Sequence, residues 1–257
     1  MSQPPLADQP LRILHFSDCH LFADPERELY GVRPAPALAA TLELARAQAT
    51  RSHLAIVTGD LTQDGEPGAY RRAEEMFAGL QMPVYALPGN HDLPEEMQRN
   101  LTGRPISWLH ALVVGGWRLL FLDSTIPGGG PDGALPEERL ATLAESLQQQ
   151  PALPTLVAMH HQPIPVATPW MNRMALAKPE ALFQVLARYP GTRCLLFGHI
   201  HHPLAEAWQG IPLLSAPSTC VQFAMGTEEP VFIRNTTGFR WLTLYPDGTL
   251  DTGVVWR

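Results

Sequence analysis

The sequence predicts an α/β fold in which helices cover the outer faces of the sheets. Short apolar runs alternate with longer amphipathic segments along most of the chain, a pattern typical of buried strands followed by helices. The chain has 257 residues and is 45% hydrophobic, which is enough to bury a large core. It contains no repeat, coiled coil, low-complexity tract or long linker, so we expect a single domain over residues 1–257.

The first half of the chain contains three predicted buried strands, each followed by a helix. In chain order these elements are the strand 11–16, the helix 36–50, the strand 54–57, the helix 67–80, the strand 84–87 and a short helix over 94–100. Pro67 stands at a predicted helix start, where proline is tolerated because the first helical N–H groups have no partner within the helix. Residues 1–10 are polar and rich in proline, and we expect a flexible terminus there.

The second half repeats this alternation and then changes to strands. Its elements are a hairpin of 111–114 and 117–122, the helix 136–149, the strand 155–159, the helix 179–189 and the strand 194–197. The tail 204–257 alternates apolar and polar residues, with turn signals at Gln209-Gly210 and Asp247-Gly248. We therefore predict that the tail forms antiparallel strands that complete the fold.

Composition excludes several classes of protein. The formal charge is −7, and of the 18 basic residues only Lys178 is a lysine, so no basic patch for nucleic acid is expected. The three cysteines, Cys19, Cys194 and Cys220, have no CxxC spacing and suit a reducing compartment. No segment resembles a signal peptide, and no apolar run reaches the ~20 residues of a membrane span. We expect a cytoplasmic protein, either a monomer or a homodimer, without a membrane partner.

Side chains able to bind metals or transfer protons directly follow the predicted strands. These candidates are Asp18, His20, Asp60, Asn90, His91, His160 or His161, His199 and His201. The densest stretch is Gly89 to Asp92, in which a glycine turn precedes an amide, an imidazole and a carboxylate. In α/β folds the loops at the carboxyl ends of strands build the binding site, so we expect these side chains to converge.

Two pairs of candidates are spaced i, i+2, Asp18 with His20 and His199 with His201. In extended chain, residues with this spacing point to the same side, roughly 6–7 Å apart along the backbone. We therefore expect each pair to reach one ion, and we expect the intervening Cys19 and Ile200 to point away into packing.

The candidate donors are imidazole nitrogens and hard oxygens, without a thiolate. This set favours Mn, Fe, Zn or Co over a cysteine-bound structural zinc. Seven ligands are too many for one tetrahedral ion, and they suit two ions that share a carboxylate. A two-metal site ~3.5–4 Å across serves in-line displacement at phosphorus.

Other histidines have a structural interpretation. A buried histidine is more often a hydrogen-bonded structural residue than a ligand, and we apply this to His15, His53, His110 and His202. His161 follows His160 directly on the predicted strand, so its side chain is expected to face the other way.

At this point the motifs resemble a known family. The five blocks are Asp18-x-His20, Gly59-Asp60, Gly89-Asn90-His91-Asp92, His160 and Gly198-His199-x-His201. Together they are similar to the signature of calcineurin-like metallophosphoesterases. The resemblance implies a four-layer α/β/β/α sandwich with two divalent metals between its sheets, most often Fe or Mn, with Zn or Co as alternatives.

The resemblance also implies a role for each block. One metal is held by Asp18, His20, Asp60 and His201, and the other by Asp60, Asn90, His160 and His199, with Asp60 bridging. His20, Asn90, His91 and His201 contact the substrate. His91 assists the leaving oxygen as general acid, and Asp92 orients His91. The implied reaction is attack of a metal-bridging hydroxide on a phosphodiester.

Flanking loops extend the resemblance to one group of enzymes within this family. Segments 20–23, 29–32, 59–64, 160–165 and 216–223 are similar to those of bacterial class III 3′,5′-cyclic-AMP phosphodiesterases. The implied activity is hydrolysis of 3′,5′-cyclic AMP to 5′-AMP. The nucleoside pocket has no motif of its own. Its candidates, for which packing is an equal alternative, are Phe22, Tyr30, Asn172, Ser218, Thr219 and Phe223.

Alternative functions remain open on sequence alone. A phosphodiesterase for glycerophosphodiesters, 2′,3′-cyclic nucleotides or other small esters would use the same ligands. A nuclease is disfavoured because the acidic chain offers no electrostatic attraction to DNA. A non-catalytic scaffold is the most distant alternative, because such a protein would not need the complete set of ligands.

Overall fold

A computed structural model of the protein describes residues 5–101 and 103–257, and its strands form two six-stranded sheets and one two-stranded hairpin. The elements of the first half are β1 (Leu11–Phe16), α1 (Pro34–Ala49), β2 (Leu54–Thr58), α2 (Pro67–Phe77), β3 (Val84–Leu87), α3 (Pro94–Asn100) and β4 (Ile106–Ser107). Those of the middle are β5 (Ala111–Val114), β6 (Trp117–Phe121), α4 (Glu137–Gln149), β7 (Thr155–Ala158), α5 (Pro179–Leu186) and β8 (Thr192–Phe197). Those of the tail are β9 (Ala205–Trp208), β10 (Ile211–Ser215), β11 (Gln222–Phe223), β12 (Phe232–Ile233), β13 (Gly238–Leu244) and β14 (Leu250–Trp256).

Each large sheet has a parallel centre that is extended by strands of the tail. The first sheet has the order β14-β13-β1-β2-β3-β4, with β1 to β4 parallel and β13 antiparallel to β1. The second has the order β5-β6-β7-β8-β10-β9, with β6, β7, β8 and β10 parallel. The tail was predicted to be antiparallel throughout, and this is wrong for β10, which pairs in parallel with β8.

The core has three layers of apolar side chains, which separate four layers of secondary structure. Along β1, Leu11 and Ile13 face the cluster between the two sheets, whereas Leu14 and Phe16 face the cluster that packs against α1 and α2. This alternation is the period-2 geometry of a strand buried on both faces. A third cluster covers the other side of the second sheet and includes Leu143 of α4 and Leu182 of α5. The predicted α/β/β/α sandwich with a β-rich tail is confirmed.

Several helix ends differ from the predictions. α1 begins at Pro34 rather than residue 36, because proline fits the first turn of a helix. α2 ends at Phe77 and continues as a short 3₁₀ turn, which closes at left-handed Gln81. α5 ends at Leu186 rather than 189, and the N–H groups of Arg188 and Tyr189 bond three residues back in turns.

The predicted flexible terminus, 1–10, lies partly outside the described residues, since 1–4 are not described. Within 5–10, Pro5 is buried and the N–H of Gln9 donates to the carbonyl of Leu6 at 3.0 Å. This part therefore forms a hydrogen-bonded turn, whose residues 6–9 are exposed. The single domain remains a proposal, which the inter-sheet cluster supports because it takes side chains from both halves and from the tail. No helix among the described residues is long and apolar enough to cross a membrane.

Candidate metal centre

Five loops meet at one rim of the sandwich, where β1, β2, β3, β7 and β8 end. Parallel strands place their carboxyl ends at the same edge, so the polar residues that follow them converge. The structure brings together the predicted side chains Asp18, His20, Asp60, Asn90, His91, His160, His199 and His201.

The first cluster consists of Asp18, His20, Asp60 and His201. One donor atom from each of these side chains lies within 4.8 Å of the others, and all four side chains are buried. The Nε2 atoms of His20 and His201 are 2.9 Å apart. Nε2 of His201 lies 3.5 Å from Oδ1 of Asp18, and Nε2 of His20 lies 3.6 Å from Oδ2 of Asp60. Two imidazole nitrogens and two carboxylates therefore point at one small volume.

The second cluster consists of Asn90, His160 and His199. Nε2 of His160 lies 3.0 Å from Oδ1 of Asn90 and 3.2 Å from Nδ1 of His199. The same Nε2 atom is 3.4 Å from Oδ2 of Asp60. Oδ2 of Asp60 thus lies between the two clusters, within reach of histidines in both.

Of the two carboxylates in the clusters, Asp60 ionises more readily than Asp18. Burial opposes its ionisation, but His160, His20 and His91 together hold the pKa of Asp60 well below its ordinary value. Burial raises the pKa of Asp18 to about 7, although His160 acts against this shift. A cation placed between the clusters would favour both carboxylates in their ionised forms.

Burial favours the neutral form of three of the four histidines in the two clusters. Burial lowers the pKa of His20 to about 4, and burial also lowers the pKa values of His199 and His201 well below their ordinary range. Burial acts in the same direction on His160, but the Asp60 carboxylate outweighs it and raises the pKa of His160 to about 9. A neutral imidazole keeps the lone pair that metal binding requires.

Hydrogen bonds hold two of these rings in the orientation that is typical of histidines that bind a metal. Nδ1 of His160 lies 2.8 Å from the carbonyl oxygen of Thr58, and Nδ1 of His201 lies 2.7 Å from that of Val221. Donation from Nδ1 to a carbonyl leaves the lone pair of Nε2 facing the cluster. Nε2 of His199 is buried and has no hydrogen-bond partner among the described residues. The donor set therefore fits divalent metal ions.

The backbone that presents these ligands is not extended, so the geometric reason given for the i, i+2 pairs was wrong. Asp18 (φ 54°), His20 (φ 49°), His199 (φ 69°) and His201 (φ 50°) are all left-handed, which is uncommon outside glycine. Such strain accumulates at functional sites. The residues between them, Cys19 and Ile200, are fully buried in the two outer clusters, as predicted.

Two glycines permit this close packing. A Cβ atom at Gly89 would overlap the carboxylate of Asp60, and one at Gly198 would overlap Oγ of Ser17. The loops approach so closely that neither position has room for a side chain. Gly89 therefore does more than turn the chain, because it leaves the space that Asp60 occupies.

His91 lies at the edge of the first cluster, with its ring 5.1 Å from that of His20. Its backbone N–H donates to Oδ1 of Asp60 at 3.0 Å. Its Nδ1 atom contacts the carbonyl oxygen of Gln63 at 3.1 Å and the side-chain nitrogen of Gln63 at 2.9 Å. Gln63 was not predicted as a site residue, because its contact with His91 depends on how two loops fold together.

Asp92 was predicted to orient His91, but the hydrogen bonds of its carboxylate go to other groups. The carboxylate of Asp92 accepts hydrogen bonds from the N–H groups of Leu61, Thr62 and Gly89 and from the hydroxyl of Thr62, at 3.0–3.1 Å. These four bonds occupy the carboxylate and join the loop after β2 to the loop after β3. Asp92 is 4% exposed, and burial raises its pKa to about 6.

His161 does not face away from the site as expected. Its ring lies 4.9 Å from that of His160 and 4.8 Å from that of His199, because the chain has left β7 and turns at this point. Its Nδ1 atom is 2.8 Å from Oγ of Ser124 and its Nε2 atom is 3.1 Å from the carbonyl of Pro131. Both ring nitrogens thus have protein partners, and burial lowers the pKa of His161 to about 3.

Two of the histidines that were predicted to be structural have hydrogen bonds that agree with this role. Nε2 of His15 lies 2.8 Å from the hydroxyl of Thr58, and Nδ1 of His53 accepts the N–H of Arg12 at 3.0 Å. For His110 and His202 the structural role stays a prediction.

A cavity of about 310 Å³ opens beside the clusters. Its wall includes His20, Asp60, Asn90, His91, His199, His201, Gln63, Tyr30, Trp170, Phe223 and Phe232. Of the six predicted pocket residues, Tyr30 and Phe223 line it. The other four do not: Phe22 packs under Arg27, Asn172 bonds the backbone of Val166, and Ser218 and Thr219 are fully buried. A second cavity, of about 500 Å³, shares no wall residue with this one.

Comparison with known sequences identifies similar proteins. A family profile of calcineurin-like phosphoesterases matches residues 11–203. The 3′,5′-cyclic adenosine monophosphate phosphodiesterase CpdA of Pseudomonas aeruginosa is 39% identical over 254 residues, which cover 98% of this chain and 92% of that protein. CpdA of Escherichia coli K12 is 38% identical over 252 residues, covering 97% and 91%. A 3′,5′-cyclic-nucleotide phosphodiesterase of Nostoc is 33% identical over 245 residues, covering 95% and 92%.

Solved structures agree on the fold. A dimetal phosphatase from Danio rerio has a TM-score of 0.64 at 15% identity and covers 92% of this chain and 96% of its own. A protein of Thermus thermophilus has a TM-score of 0.59 at 15% identity and covers 95% and 98%. At these identities the likeness concerns the sandwich alone.

Proposed function

Because the chain belongs to the calcineurin-like phosphoesterase family, we propose that it hydrolyses 3′,5′-cyclic AMP to 5′-AMP at a centre of two divalent metal ions. The observation that carries the proposal is the position of Asp60, whose Oδ2 atom lies between two clusters of donors. The choice of substrate is supported by the relatives in Pseudomonas aeruginosa and Escherichia coli, whose names specify this reaction.

The ligand sets follow the two clusters. One ion would be held by Asp18, His20, Asp60 and His201, and the other by Asp60, Asn90, His160 and His199. Two ions, when bound, supply a nucleophilic water at neutral pH and neutralise the phosphoryl oxygens.

The metals we propose are Fe or Mn, with Zn or Co as alternatives. The donors are imidazoles and hard oxygens, which suit these ions. The nearby thiols of Cys19 and Cys220 are buried, and burial raises their pKa values, so they remain protonated and do not compete as ligands.

The residues at the cavity wall bind the phosphate and deliver the proton. His20, Asn90, His91 and His201 all line the cavity, and we assign the substrate's phosphate to them. His91 is anchored through Nδ1, which leaves Nε2 available to the cavity. Attack of a water oxygen on phosphorus would form the new P–O bond and break the bond to O3′. With a proton on each ring nitrogen, His91 would donate the Nε2 proton to O3′, and the proton that the attacking water loses would pass to solvent, from which Nε2 is protonated again.

A product assay tests the function. Protein loaded with Mn²⁺ or Fe²⁺ is given 3′,5′-cyclic AMP, a 2′,3′-cyclic nucleotide and a glycerophosphodiester, and the products and the metal content are measured on the same sample. We expect 5′-AMP from the first substrate at the highest kcat/KM. The His91→Ala variant should keep both metals and lose about 10²- to 10⁴-fold in turnover.

Two results would contradict the proposal. Metal-loaded protein that leaves 3′,5′-cyclic AMP intact but cleaves another ester is a different phosphodiesterase. Protein that binds no metal and cleaves none of the three is a non-catalytic scaffold.

We also propose a cytoplasmic location, because all three cysteines are free and buried, as expected in a reducing compartment. Monomer or homodimer stays a prediction. Fractionation of cells and gel filtration of the purified protein test these two points.

A further inference from the structure

A chain of aromatic rings runs from the first cluster to the mouth of the cavity. The ring of Phe223 lies parallel to that of His201, with centroids 4.0 Å apart and an interplanar angle of 4°. Trp170 and Phe232 meet Phe223 edge-on, at 5.0 and 5.8 Å. The ring of Tyr30 then stacks on Phe232 at 3.9 Å and 13°. Four aromatic rings therefore line one wall, beginning next to a proposed metal ligand.

Packing of the protein does not account for the outermost pair. Trp170 and Phe223 contact the apolar cluster beneath the second sheet, but Tyr30 and Phe232 belong to none of the three clusters in the described chain. Tyr30 is 50% exposed although it is a large aromatic residue. Two rings stacked at the mouth of a cavity, outside any core, offer an apolar face to a ligand.

Both rings are held in place by their backbones. Tyr30 is left-handed, at φ 50°, inside a tight turn closed by hydrogen bonds between Leu29 and Val32. The side chain of Arg234 donates to the carbonyl of Tyr30 at 2.5 Å, and so ties the first loop to the hairpin of β11 and β12. Phe232 lies on this hairpin and pairs with Phe223 across it. The pair is therefore ordered before a ligand arrives.

We propose that the Tyr30–Phe232 pair is the base subsite of the cavity, on which the purine ring of a cyclic nucleotide stacks while its phosphate lies against the His/Asp clusters. This proposal rests on the proposed function. The stacking energy increases with the area of the ring. It depends little on the hydrogen-bonding edge of the base, since every base has a π face. The subsite therefore ranks cyclic purine nucleotides above cyclic pyrimidine nucleotides, and both above a cyclic ribose phosphate without a base.

The test uses single substitutions in metal-loaded full-length protein. Tyr30→Ala and Phe232→Ala each remove one ring, and Tyr30→Phe, which keeps the ring, is the matched control. Phe223 is left intact because its ring packs flat on His201. The substrates are 3′,5′-cyclic AMP, 3′,5′-cyclic UMP and base-free ribose 3′,5′-cyclic phosphate.

We expect the alanine variants to raise KM for cyclic AMP by about 5- to 150-fold with kcat unchanged, because stacking contributes equally to ground state and transition state. The increase should be smaller for cyclic UMP and absent for the base-free substrate. Tyr30→Phe keeps the ring and should raise KM for cyclic AMP far less than Tyr30→Ala. Metal content and thermal unfolding should be unchanged in Tyr30→Ala, whose side chain is half exposed.

Binding gives a readout that does not require turnover. Affinity for 5′-AMP and for ribose 5-phosphate, measured by calorimetry, should differ in the unsubstituted protein and become similar in the alanine variants. Equal affinities in the unsubstituted protein overturn the subsite. The subsite is also overturned if KM rises by the same factor for cyclic AMP and the base-free substrate, or if KM for cyclic AMP does not rise. Failure of the proposed function is different: the unsubstituted protein would then leave 3′,5′-cyclic AMP itself intact.

Discussion

Gln63 contacts Nδ1 of the His91 ring with two of its atoms. Its backbone oxygen lies 3.1 Å from Nδ1, and its side-chain nitrogen lies 2.9 Å from it. An N–H at Nδ1 suits the carbonyl oxygen but opposes the amide nitrogen, while Oε1 of Gln63 is buried without a partner. Rotation of the amide by 180° removes the first conflict, because Oε1 then accepts the Nδ1 proton. Gln63 therefore fixes the ring of His91 through two oxygens and directs Nε2 toward the cavity.

Replacement of Gln63 by alanine should lower kcat by about tenfold, because it removes one of two hydrogen bonds that orient His91. The backbone carbonyl remains, so the loss should be far smaller than for His91→Ala. Steady-state kinetics on metal-loaded protein measure it, with Gln98→Ala on the exposed face of α3 as the control. Loss of metal in Gln63→Ala would contradict a role through His91 alone.

Asp92→Asn should destabilise the protein by about 1–3 kcal/mol, because one carboxylate oxygen that accepts buried N–H groups is replaced by an amide nitrogen. Urea unfolding measures the free energy, with the exposed Asp8→Asn as the control. We expect metal binding to weaken along with stability, since Asp92 joins the two loops that carry Asp60 and Asn90. A variant of normal stability and metal content that loses turnover would instead restore a direct role for Asp92 in the chemistry.

Gly89→Ala should displace the Asp60 carboxylate, because the added Cβ atom overlaps it. A shift of about 1 Å at such a position costs ~10²-fold in rate, and we expect at least one metal to be lost with it. The matched control is Gly130→Ala, which meets no atom within 4 Å. Metal analysis and turnover are measured together. If Gly89→Ala retained both metals, the loop would have adjusted to the added Cβ atom without moving Asp60.

The sequence was sufficient for the strands that carry the site and for the residues that follow them. Both are local properties, since apolar runs identify buried strands and the carboxyl ends of parallel strands share an edge. His160 and Asp60 were therefore expected to meet, although 100 positions separate them, and their side chains lie 3.4 Å apart. The left-handed backbone at Asp18 and His201 was not predicted, because non-glycine residues adopt it only when the surrounding structure imposes it.

Residues that act through partners distant in sequence were the ones missed. Gln63 reaches His91 only because two loops fold against each other, and Phe232 reaches Tyr30 from the far end of the chain. Asp92 was assigned to its sequence neighbour, His91, whereas its carboxylate turns to the loop after β2. Adjacency in sequence is a poor guide in a tight turn, where successive side chains diverge.

His161→Asn should leave both metals bound, although the His161 ring lies within 5 Å of two proposed ligands. Its ring nitrogens are already occupied by Ser124 and by the carbonyl of Pro131, so it supports the loop at the edge of the cavity. Ser124→Ala removes one of these contacts and should cost about 1–3 kcal/mol of stability while metal content is unchanged. Urea unfolding and metal analysis of both variants, with Ser146→Ala as control, distinguish the two roles. Loss of one metal in His161→Asn with normal stability would identify His161 as a ligand.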